Sequence, residues 1–104
     1  MKYTEEEQYG GKIESMDVGI GESLGYEIFS EALGASLDYQ PFNSAHEGIA
    51  IIWEEFLELQ EEVFQKQSIR SITKMRKEAI QLGAMALRFV YDVCQDRKLL
   101  RKGR

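Results

Sequence analysis

At 104 residues, with 43% hydrophobic and 30% charged side chains, the chain has the length of one domain and a globular composition. Its net charge of −5 argues against a general nucleic-acid binder, and no apolar run is long enough to span a membrane. A single cysteine, Cys94, rules out an internal disulfide framework and points to a reducing, cytoplasmic setting.

The charge is unevenly placed. Residues 1–62 hold fifteen acids and two bases, whereas residues 63–104 hold three acids and eleven bases. The first 25 residues contain five of the nine glycines and read as an acidic, glycine-rich arm or a set of turns. A short helix is expected over residues 26–39, where Ile28, Phe29, Ala32, Leu33 and Leu37 recur at three- and four-residue spacing. Pro41 ends it, because the residue before a proline avoids helical angles.

Ser44 followed by Glu47 fits a capping box and opens a long helix to about Lys66. On it Ile49, Ile52, Trp53, Phe56, Leu59 and Val63 form one apolar stripe, expected to pack in the core. Ser68 to Thr73 reads as a connection with several available caps. A second long helix follows from about Ile72 to Asp96, apolar on nearly every side and so expected to be buried, with Cys94 among its buried residues. One short chain offers too little to surround such a helix, which argues for a homo-oligomer, dimer or tetramer. Residues 97–104 form a basic tail.

The first long helix carries Glu47, Glu54, Glu55, Glu58, Glu61 and Glu62 opposite its apolar stripe, with no base in the run to relieve them. Like charges four residues apart repel by a few tenths of a kcal/mol, about 0.2–0.5 per pair. Ile51 points into this acidic face, where a purely solvated surface seldom places an isoleucine. Clustered carboxylates suit a hard cation such as Mg²⁺, which takes oxygen ligands. On the next helix Glu78 sits at the edge of a narrow polar strip, flanked by Leu82, Met85 and Phe89. A carboxylate so placed is costly unless it is paired, for instance with Lys74, or bound to a cation.

Glu54-Glu55-Phe56-Leu57-Glu58-Leu59 resembles the EExxE box of the MazG-like, all-α nucleoside triphosphate pyrophosphohydrolases, and Glu78-Ala79-Ile80-Gln81 resembles their second box, ExxD. The resemblance covers residues 42–94, the core of a domain spanning 26–96. It implies an all-α fold: an antiparallel helix pair with a short N-terminal helix, completed to a four-helix-type bundle by oligomerisation. It further implies Mg²⁺ (or Mn²⁺) held by Glu55, Glu58 and Glu78, with Gln81 where the family has an aspartate. That exchange removes one negative charge and weakens the cation's hold. Glu54 and Glu58 are candidates to orient or deprotonate water. Lys77, Arg88 and His46 are candidates to contact a nucleoside triphosphate. For Arg70, Lys74 and Arg76 the residues favour surface solubility.

Three readings follow: an Mg²⁺-dependent enzyme that converts (d)NTP to (d)NMP and pyrophosphate, a catalytically impaired relative that binds nucleotide or protein, and a plain helical oligomerisation module. No membrane and no nucleic-acid partner is expected.

Overall fold

The computed structural model describes residues 15–95. The basic tail and the first fourteen residues of the expected arm lie outside that range. Three α-helices make up the fold: α1 (Val18–Asp38), α2 (Ala45–Val63) and α3 (Ile72–Phe89). The backbone then widens into π geometry over Val90–Cys94. Among the described residues there is no strand, and no helix is long and apolar enough to cross a membrane.

Each helix starts where a short polar side chain takes up free backbone donors. Asp17 accepts from Ile20 N at 2.9 Å, Ser44 from Glu47 N at 3.1 Å and Ser71 from Lys74 N at 3.1 Å. At α2 the cap is reciprocal but reaches one residue further back than the usual box. Glu47 accepts from Asn43 N at 2.9 Å, not from Ser44. The Asp17 cap explains why α1 begins eight residues before the expected start at Tyr26. It draws into a helix the last part of the stretch expected to be arm or turns. Glycines cost a helix about 1 kcal/mol each, and packing of α1 on α3 offsets that cost. The two elements also meet where Ile28 lies over Gly83: a Cβ there would make ordinary contact with Ile28 Cδ1 at 3.4 Å.

α3 is the central element, and α1 and α2 pack chiefly against it. The core is small: Ala32, Phe42, Ala84 and Met85, bordered by Ile28, Ala35, Ile51, Ile52, Phe89 and Val93. Gly48 is its closest point. A Cβ there would lie 2.5 Å from Phe89 Cδ2 and 3.2 Å from Phe42 Cδ2, so the missing side chain is what admits both rings to α2. Across the other seam Arg76 donates to Glu27 from both guanidinium nitrogens, 2.7 Å from Nη1, and joins α3 to α1. This pairing holds the Glu27 carboxyl below the usual range.

Two expectations about packing are corrected. Most of the apolar stripe of α2 does not enter the core of its own chain: Ile52 packs against it and Leu59 is half-buried, but Ile49, Trp53, Phe56 and Val63 are exposed. α2 turns Gly48, Ile51 and Glu55 towards α3 instead, so the half-acidic side is the inner one. Cys94 is exposed rather than buried, as are Leu87, Val90 and Tyr91 before it.

Candidate carboxylate site

One turn of α2 and the middle of α3 bring three carboxylates together. Oxygens of Glu55, Glu58 and Glu78 all lie within 4.8 Å of one another. The i, i+3 spacing of Glu55 and Glu58 puts both on one side of α2, and the α2–α3 packing supplies Glu78 from across the seam. Glu55 and Glu78 are half-buried and Glu58 is exposed. One oxygen of Glu55 and one of Glu78, the Oε2 of each, are buried without a hydrogen-bond partner. Among the described residues no base, Lys74 included, forms a salt bridge with any of the three.

The electrostatics follow from that geometry. Burial, and then the charges of Glu58 and Glu78, push the Glu55 carboxyl up to about 7. Glu78 is raised too, by burial first and by Glu58 next, against a partial offset from Lys77. Three acids so close without a cation are a source of repulsion. Buried oxygens without donors are the feature that a divalent ion, a hard acid with a preference for carboxylate oxygen, would satisfy.

Beside the triad opens a cavity of about 530 Å³. Glu55 belongs to both, and Glu54, Gln81, Tyr39, Phe42 and Arg88 are among the residues that line the cavity. The remaining expected site residues distribute as follows. Glu47 lines the cavity while it caps α2. Glu61 is exposed, and Glu62 adds to the repulsion on Glu78. Lys77 is exposed beside Glu78, and His46 is exposed in the first turn of α2. Neither is among the residues lining the cavity.

Arg88 is placed differently from a free phosphate contact. It is only 6% exposed. It donates to Gln40 O at 2.9 Å, lies 3.8 Å from Asp92 and stacks on Phe42 with its guanidinium carbon 4.5 Å from the ring centre. Asp92 in turn accepts from Phe42 N at 3.0 Å. This node ties the loop after α1 to the end of α3 and forms a wall of the cavity. Tyr39, Gln40 and Phe42 went unnoticed in the sequence. Aromatics on either side of Pro41 were their only signal, and nothing local to them indicates an arginine 48 residues away.

Comparison of the chain with protein-family models, with curated proteins and with solved structures finds no match.

Proposed function

We propose that the protein is a MazG-like, divalent-cation-dependent nucleoside triphosphate pyrophosphohydrolase, converting (d)NTP to (d)NMP and pyrophosphate. The observation that carries this reading is the convergence of Glu55, Glu58 and Glu78 within 4.8 Å, two of them with buried, unpartnered oxygens. Mg²⁺ or Mn²⁺ held there would supply charge neutralisation for the triphosphate and a more acidic water.

The chain's own residues divide the remaining tasks. Glu55 and Glu58 from α2 and Glu78 from α3 hold the cation. Glu54 lines the cavity one residue from Glu55 without belonging to the triad, so its carboxylate is available to accept a proton from water. Gln81 lines the same cavity and brings a carbonyl ligand without charge. The cavity beside Glu55 is large enough for a small ligand, and Tyr39 and Phe42 offer it aromatic walls. Lys77 supplies the cationic side chain nearest in sequence to Glu78. We also assign the protein to the cytoplasm and to a homo-oligomer in which helices of two or more chains complete a bundle.

The test is incubation with a panel of NTPs and dNTPs plus Mg²⁺ or Mn²⁺, with product analysis. Monophosphate and pyrophosphate are expected, with loss of turnover in Glu55→Gln and Glu58→Gln. If no nucleotide is turned over and no metal raises the melting temperature, the proposal fails. Gln81 supports a second reading, an impaired relative that binds nucleotide without turnover. For that protein Gln81→Asp is expected to restore hydrolysis.

A further inference from the structure

α2 has one side that its own chain uses only at its edge, where Ile52 packs against the core. Around the helix, at about 100° per residue, the half-circle running from Leu59 through Phe56 and Trp53 to Ala50 contains His46 but no aspartate, glutamate, lysine or arginine. The contact with α3 lies to the other side, at Gly48, Ile51 and Glu55. On this half Ile49, Trp53, Phe56 and Val63 are 54, 59, 41 and 37% exposed. Monomeric proteins seldom expose contiguous apolar strips of this kind without a partner.

Three features identify the occupant. First, the stripe repeats at seven-residue spacing, Ile49, Phe56 and Val63, with Trp53 and Gln60 between. The same helix laid antiparallel about a two-fold axis near Phe56 sets Ile49 against Val63 and Trp53 against Leu59, so apolar side chains meet apolar ones in an isologous contact. Second, the residues flanking the stripe are Ile52 and Leu59 on one side and Ala50 and Leu57 on the other. Two copies can close without placing the glutamates of one against those of the other. An antiparallel arrangement also sets the positive end of each helix dipole beside the negative end of its mate. Third, the polar side of α2 is wholly acidic, whereas helices that lie on anionic membranes carry lysine and arginine there.

The size is adequate. Five large side chains (the four above and Leu57, 43% exposed) offer roughly 450 Å² of apolar surface, taking about 150–250 Å² for a large ring. That is somewhat over half of the ~800 Å² per partner of a standard interface, as suits a small dimer contact.

We propose that the outer face of α2 is the dimer interface of this protein, with a second copy packing antiparallel across Phe56. The pairing builds the helix bundle from α2 and α3 of both chains and leaves both carboxylate sites on the outer flanks of the α2–α2 seam. It extends the homo-oligomer assignment above by naming the surface. It does not depend on hydrolysis, because its test reads mass and not turnover.

Sedimentation equilibrium of the full chain is expected to give about 24 kDa, twice the chain mass of 12.0 kDa. Phe56→Glu is expected to sediment as the single chain with helical circular dichroism retained. Leu33→Glu, on the exposed side of α1 (46%), is expected to remain dimeric. In a Cys94→Ser background, Phe56→Cys is expected to oxidise to a disulfide-linked dimer, which decides the matter if Phe56→Glu does not fold. A single-chain mass for the unaltered protein at on the order of 100 µM, a dimer that survives Phe56→Glu, or no cross-link at position 56 overturns the proposal.

Discussion

Replacing Glu55 by glutamine is expected to stabilise the metal-free protein at alkaline pH. The wild-type carboxyl is raised from 4.5 to about 7, by burial first and by Glu58 and Glu78 next. Because the folded state holds the proton more tightly than the unfolded chain, the associated stability is complete below pH 4.5. It is lost as pH rises through about 7. At about 1.4 kcal/mol per pKa unit, the ionised group costs the fold at most about 3 kcal/mol at pH 8. Water reaches part of the side chain, and screening reduces this to about 1–2 kcal/mol. Glutamine keeps the shape and removes the charge, so in EDTA at pH 8 its melting temperature should exceed that of wild type by about 5–10 °C. Towards pH 5 the two curves should converge. Added Mg²⁺ should raise the wild type and leave the variant little changed, since binding only the folded form stabilises it. Scanning calorimetry over pH 5–8, with and without Mg²⁺, reads all of this. A variant that melts at or below the wild-type temperature at pH 8 in EDTA would refute the idea that charge is crowded at this seam.

Other perturbations test the supports of the site. Gly48→Ala gains about 1 kcal/mol of helix propensity but drives a methyl into Phe89 and Phe42. A net loss of about 1–2 kcal/mol is expected in urea unfolding, and a gain would show that the rings can retreat freely. Arg88→Met removes the hydrogen bond to Gln40 O and the stack on Phe42. It should cost about 2 kcal/mol, and unchanged stability would mean that the node is dispensable. Gln81→Asp adds a negative charge to the cavity that holds Glu55, and isothermal titration should show Mg²⁺ bound about tenfold more tightly. Affinity unchanged or weakened would place Gln81 outside the cation's reach.

The parts of this structure that can be read from sequence are those settled within a few residues. The Ser44 cap needs only Glu47, and the convergence of Glu55 and Glu58 needs only helical spacing. Glu78 is added by its apolar flanks, Leu82, Met85 and Phe89, and by the resemblance to a second box on the next helix. What escaped reading depends on distant contacts. Periodicity shows that α2 has an apolar side but not whether that side meets its own chain, so Trp53 was expected inside and lies outside. The glycines before Gly25 conceal only the first two turns of α1, whose start rests on the Asp17 cap and on packing against α3, while the rest of the helix is legible from its apolar spacing. Arg88 reads in sequence as a nucleotide contact and not as a buried node, because its partners Gln40 and Phe42 are brought to it only by the folded loop.

Gly48 has a role that extends down the seam. It lies seven residues from Glu55, about 10 Å along α2, and the approach of Phe89 and Phe42 to its bare Cα sets how deeply α2 beds against α3. Depth at one end of a helix pair becomes separation at the next turns, so this glycine acts as a gauge for the gap between Glu55 and Glu78. If that gap holds a cation, the gauge discriminates by ionic radius. Mg²⁺ prefers ligand distances of about 2.1 Å and Ca²⁺ about 2.3–2.6 Å, so a wedge at position 48 should shift preference towards the larger ion. Competition between Mg²⁺ and Ca²⁺ in Gly48→Ala would measure this shift. An unchanged ratio would mean the carboxylates take their spacing from contacts closer to themselves.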